Sequence, residues 1–205
     1  MKSIIFCDLE VNKKTKKINE LGLVYKENNL KTTSIEESRA FINSFDSEYI
    51  AGHNFIDFDL EIIKTTSLYQ DIREHHIIDT LPLSLLLFNE KTVHSLPKNY
   101  KSEDDFVNNP VEDSKITLSL LDKLEERFKS LPQDTKDIFY SLLKDDIYFS
   151  AFFKYINSDV KLNELPLHSL YELILKLHNK AIVNTEYLKE VLFSNKSQLA
   201  YILAL

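Results

Sequence analysis

Glycine is nearly absent: Gly22 and Gly52 are the only two in 205 residues. Glycine-rich phosphate loops need several glycines at fixed spacing so that backbone can close on a phosphate, so a dinucleotide fingerprint and a P-loop are both excluded. The single cysteine, Cys7, rules out an internal disulfide, and no Cys/His spacing resembles a zinc site. Any metal is therefore expected to be held by oxygen. Tryptophan is missing altogether. The longest clean apolar stretches, Leu85–Phe88 and Tyr201–Leu205, fall far short of a membrane span, and residues 1–7 lack the basic flank and long apolar run of a signal peptide. These absences lead us to expect a soluble cytoplasmic protein with no membrane partner.

What is present is a chain able to bury a core, 43% hydrophobic and 28% charged. Its net charge of −7 is unevenly placed: residues 1–128 carry 16 basic and 23 acidic side chains, residues 129–205 nine of each. The first segment alternates short β-like and helical runs, the pattern of a mixed α/β sheet. Ser3–Cys7 is nearly all apolar, as a central strand covered on both faces must be. Strands are expected at 18–25, 30–33, 49–52 and 77–78, and helices at 35–45, 56–65 and 110–128. The polar stretch 89–109 carries no clear signal. From Leu131 onward the texture is helix after helix, so residues 1–130 are expected to form one domain and 131–205 a second, all-α domain. Ser197–Leu205 reads as an amphipathic helix cut in mid-course, which suggests a longer parent protein; a native C-terminal helix docked on the core is the alternative.

Four carboxylates point the wrong way for solvated charges. Asp8 and Glu10 close the buried strand, and their i, i+2 spacing sends both to one face of the sheet, where they repel. Asp59 precedes Ile62 and Ile63 by three and four residues, on the apolar stripe of its helix. Asp113 precedes Thr117, Leu120 and Leu124 in the same way. Each alone reads as a solvated charge or a helix cap. Together, aimed at a core boundary with no Arg or Lys at helical spacing on the same stripe, they require a cation. Oxygen-only ligands suit Mg²⁺ or Mn²⁺, and two such ions form the clamp used in phosphodiester cleavage.

Four blocks carry a specific resemblance: Phe6-Cys-Asp8-Leu-Glu10, Gly52-His-Asn54-Phe-Ile-Asp-Phe58-Asp59, Ile77-Ile-Asp79-Thr80 and Asn108-Asn-Pro-Val-Glu-Asp113. In this order and spacing, over about residues 3–128, the chain resembles the DEDD superfamily of 3′→5′ exonucleases. The resemblance implies a ribonuclease-H-like mixed five-stranded sheet flanked by helices, with Asp8, Glu10, Asp59 and Asp113 as ligands of two divalent cations. It also implies Leu9 and Val11 against the terminal nucleotide, with Asn54 and Phe58 shaping its pocket; for Phe58, plain core packing is an equal alternative. Cys7 reads as a small buried hydrophobe. The implied partner is nucleic acid, DNA before RNA.

The pattern departs from the family at its third motif. There a histidine five residues before the last aspartate, or in another branch a tyrosine four before it, handles the attacking water. Here those positions are Asn108 and Asn109. An amide orients water but takes no proton near neutral pH. His94, in the loop between motifs, is the alternative base, or else a surface or packing residue, while His53 is expected to support Asn54. Lys13, Lys14, Lys16 and Lys17 follow Glu10 in a turn, either as a solvated edge or as phosphate contacts. The overall texture is similar to exonuclease-like N-terminal regions of large bacterial RecQ-type helicases, which implies helicase domains as partners. The expected activity is metal-dependent 3′→5′ exonucleolysis of DNA in a repair or defence protein. The alternatives are a nuclease-like binding module with little turnover, because Asn108 replaces the base, and an assembly domain with a vestigial cleft.

Overall fold

The computed structural model describes residues 3–12, 14–96, 109–178, 182 and 184–205. Its sheet has five strands in the order β3-β2-β1-β4-β5: β1 (Ile4–Val11), β2 (Ile18–Tyr25), β3 (Asn28–Thr32), β4 (Tyr49–Gly52) and β5 (His76–Asp79). The first three form an antiparallel meander, and β1–β4 and β4–β5 pair in parallel. This mixed sheet, flanked by helices and followed by a helical region, is the ribonuclease-H-like α/β fold expected from the sequence. The apolar run at β1 sits centrally because only a strand covered on both faces has no polar side to show.

Alternation along β1 separates its two faces. Ile5, Cys7 and Leu9 join Leu21, Leu23, Ile42, Ile50 and Phe55 in the hydrophobic core, against which helix α1 (Ile35–Asn43) packs Ile35 and Phe41. Phe6, Asp8 and Glu10 take the opposite face, with Asp8 in register with Gly22 and Glu10 with Glu20.

After β4 the structure departs from the continuous helix expected over 56–65. Phe55–Asp59 forms a π-helical turn, and only Leu60–Ile63 is α-helical, as α2. The cause is local. Asn54 adopts the left-handed conformation with φ of 59°, and the backbone N–H groups of Asn54 and Ile56 turn towards the Asp79 carboxylate at 2.8 and 2.9 Å. The short α3 (Tyr69–Ile72) has too little length to leave a periodic signal, and the apolar stretch after β5 is a helix, α4 (Thr80–Leu87). Helix α5 (Pro110–Ser130) opens on Pro110, whose fixed φ suits a first helical turn.

The described chain forms two compact units. One comprises the residues up to Pro82 and those between Val93 and Lys123; the other comprises Leu83–Thr92 and Leu124–Leu205. The second unit is helical, holding α6 (Gln133–Leu143), α7 (Ser150–Ile156), α8 (Leu167–His178), α9 (Thr185–Ser194) and α10 (Lys196–Ala204). Phe128 meets Phe152 and Phe153 edge-on at 5.6 and 5.7 Å in its core. The buried Asp137 ties down the segment before α8 by accepting from the Asn163 backbone and side chain, both at 2.9 Å. Among the described residues, no helix is long and apolar enough to cross a membrane.

Candidate functional site

The carboxylates of Asp8, Glu10 and Asp113 converge in the first unit, each half-buried and each offering an oxygen within 4.8 Å of the others. Two come from one strand face and the third arrives on α5, more than 100 residues later in sequence. The crossing that delivers it depends on Gly22. A Cβ there would lie 2.1 Å from the Pro110 carbonyl carbon and 2.3 Å from the Val111 nitrogen, so the first turn of α5 rests directly on strand backbone. The buried Ser114 hydroxyl then donates to the Gly22 carbonyl at 3.1 Å. Since Gly22 is the register partner of Asp8, the helix is fixed on the sheet beside the acidic pair.

Asp59 is the fourth carboxylate. It is 3% exposed, lies outside the three-residue group, and is held by the Leu9 backbone N–H and its own. Burial, and after it the charges of Asp8 and Asp79, push its pKa up to about 9. No cation pairs with Asp59 among the described residues, so in the metal-free protein it is protonated at neutral pH. Cys7 shares this acidic surrounding with Asp59 and Asp8. Burial first, then Asp59 and Asp8, hold its thiol well above the usual range, which fits a packing role and no nucleophilic one.

The donor set fits a hard divalent cation: clustered carboxylate oxygens at the end of a central strand, next to a buried carboxyl that stays protonated at neutral pH without added positive charge. Acidic residues here can hold a metal ion.

Asp79 is a residue whose role the sequence alone did not disclose. It is 1% exposed and accepts three backbone N–H groups, from Asn54 at 2.8 Å, Ile56 at 2.9 Å and Leu81 at 3.0 Å. Those bonds fasten the turn that carries Asp59. Burial raises the Asp79 pKa and the three N–H groups oppose that rise. Its sequence signals are its place in the Ile77-Ile-Asp79-Thr80 block, which gives it no role, and a carboxylate ending an apolar strand, which is shared with ordinary helix caps.

The remaining candidates are placed as follows. Leu9 is buried in the core on the face opposite Asp8 and Glu10, and the half-buried Val11 packs against that core beyond a register shift at Glu10/Val11. Asn54 supplies the left-handed turn, and Phe58 is 42% exposed. Asn108 lies outside the described residues, while Asn109 accepts the Val111 and Asp113 backbone N–H groups at the start of α5. His53 sits at the end of β4, where its Nδ1 lies 3.0 Å from the Thr80 hydroxyl. That hydroxyl also donates to the Gly52 carbonyl at 3.1 Å. Burial lowers the His53 pKa to about 4, with a hydrogen bond to the His94 backbone opposing the shift, so the ring is neutral at pH 7.

No protein-family model matches this chain, and no curated protein matches it. Among solved structures it is similar to the family B DNA polymerase from the hyperthermophilic archaeon Pyrobaculum calidifontis. The identity is 11% and the TM-score 0.46, over 88% of this chain and 29% of the polymerase chain.

Proposed function

We propose that this protein is a metal-dependent 3′→5′ exonuclease acting on DNA, with Asp8, Glu10, Asp59 and Asp113 holding two Mg²⁺ or Mn²⁺ ions. The observation that carries the reading is the convergence of Asp8, Glu10 and Asp113 oxygens within 4.8 Å, beside a buried Asp59 that is uncharged at neutral pH without a cation. Bound divalent ions supply the positive charge that activates water and stabilises the leaving oxygen. The protein's own part is to position. Gly22 and Ser114 fix the helix bearing Asp113, and Asp79 fixes the turn bearing Asp59. The exposed ring of Phe58 packs against the terminal nucleotide, with Asn54 shaping the turn beneath it. Asn108 orients the attacking water through its amide. Water attacks the last phosphodiester, the 3′ oxygen of the preceding nucleotide leaves, and a nucleoside 5′-monophosphate is released. The chemistry belongs to residues 1–130, and the helical residues 131–205 serve docking or stability.

The test is incubation of 5′-labelled single- and double-stranded DNA and RNA with Mn²⁺, Mg²⁺ or EDTA. Stepwise shortening from the 3′ end with either metal, absent in EDTA and in Asp8→Ala, is expected. No shortening of any substrate would overturn the reading.

A further inference from the structure

A groove of about 700 Å³ opens on the first unit, between the β1–β2 turn, the β3–α1 connection and the π-turn with α2. Lys16 and Lys17 line one side. The turn presenting them is a built one. The Asn12 carboxamide oxygen accepts the Lys14 and Thr15 backbone N–H groups at 3.0 Å, the Asn12 carbonyl accepts that of Lys16 at 2.8 Å, and Lys16 takes a positive φ of 58°. Three other lysines of this unit are tied to carboxylates: Lys31 to Glu20, Lys64 to Glu61 and Lys115 to Glu112. Lys16 and Lys17 have no ion pair among the described residues, in a segment that is acidic overall. The apolar lining comes from Ile18, Ile35, Ile62 and the exposed ring of Phe58. On the helical side Asp57 disfavours anions and Glu61 is already held by Lys64, so the lysine side suits a phosphate backbone better.

Unpaired ammonium groups facing an apolar surface with an exposed aromatic ring match the chemistry of a single strand, whose phosphates and base faces are both accessible. A duplex would offer phosphates but keep its base faces stacked. Phe58, which lines the groove, is the residue immediately before Asp59 in the chain. We propose that the groove holds the single-stranded nucleic acid lying 5′ of the nucleotide to be removed, with phosphates on Lys16 and Lys17 and bases on Ile18, Ile35 and Ile62, past the Phe58 ring that meets the terminal nucleotide. This rests on the exonuclease reading for its placement, while the binding itself is measurable without turnover.

The experiment is fluorescence anisotropy of labelled 12-mer DNA and RNA, single-stranded and duplex, with the full chain in EDTA at several salt concentrations. The wild type should bind a single strand more tightly than the duplex, and the stronger of the DNA and RNA arms identifies the sugar. K16Q/K17Q should weaken single-strand binding about tenfold, and its plot of log affinity against log salt should be shallower by about 1.4, the loss of two phosphate contacts on a single strand. K14Q alters the same turn without lining the groove and should leave that slope in place. Equal wild-type affinity for duplex, no measurable binding, or identical slopes for K16Q/K17Q and wild type would overturn the groove. Lysine-dependent binding without any metal-dependent cleavage would instead remove the exonuclease reading and leave the groove standing.

Discussion

Gly22 and Pro110 approach so closely that a Cβ on the glycine would lie 2.1 Å from the proline carbonyl carbon. The obstacle is backbone, which cannot swing aside as a flexible side chain would. Gly22→Ala should therefore push the start of α5 off the sheet and carry Asp113 away from Asp8 and Glu10. Overpacking of this kind costs about 1–3 kcal/mol, and here the proposed metal site should suffer beyond the fold. The expected result is a folded protein by circular dichroism whose Mn²⁺ affinity by calorimetry drops at least tenfold. Ser114→Ala, which loses only the bond to the Gly22 carbonyl, should cost about 1 kcal/mol.

Divalent cations should stabilise the native state. At a hundred times the dissociation constant the gain is about 2.7 kcal/mol, or roughly 5–10 °C in Tm for a chain of this size. Thermal melts with Mn²⁺ or Mg²⁺ against EDTA read it directly, and Asp8→Ala with Glu10→Ala should abolish the shift. An unchanged wild-type Tm would count against a metal at this cluster.

The pH dependence of the metal-free protein follows from Asp59 and His53. Asp59 ionises near 3.8 when exposed and near 9 in the fold, so the native state holds an extra proton between these values. Its contribution is complete below pH ~4 and is lost as pH rises towards 9. His53, lowered from 6.5 to about 4, acts in the opposite direction, and its contribution is lost as pH falls below about 6.5. Between pH 7 and about 8 the Asp59 slope dominates, and closer to pH 9 the buried Cys7 thiol adds a slope of the same sign. Urea midpoints in EDTA should fall between pH 7 and 8 in wild type and change much less in Asp59→Asn. Mn²⁺ should bind more tightly as pH rises, since its binding releases that proton.

Asp79→Ala leaves buried backbone N–H groups of the Asn54 turn without an acceptor. With about 1–3 kcal/mol for each unsatisfied group, a loss of about 3 kcal/mol or more is expected. Asp79→Asn retains one acceptor oxygen and should lose less. Urea titration of both variants checks the order.

Asn108 stands where the resembled family places a histidine. A restored imidazole, with a reference pKa of about 6.5, accepts a proton that an amide cannot. Asn108→His should raise single-turnover cleavage by about tenfold or more, within the roughly 10²–10⁴ range of general-base contributions, and Asn108→Ala should cost little. Vigorous wild-type activity lost in His94→Ala would instead assign the base to the loop.

The sequence alone determined the strand that carries Asp8 and Glu10, because an unbroken apolar run can only be central, and a period of two puts both acids on one face. It also showed Asp59 and Asp113 on apolar stripes, since helical spacing to their neighbours is a local property. Tertiary structure decided what depends on distant partners. The π-turn at Phe55–Asp59 exists because Asp79, more than 20 residues downstream, captures backbone that a continuous α-helix would have kept to itself. The meeting of Asp113 with the strand pair rests on Gly22 in the middle of β2, where lack of a side chain reads locally as a weakness of the strand. Only the helix lying across it, nearly 90 residues later in the chain, turns that missing side chain into the contact that assembles the site.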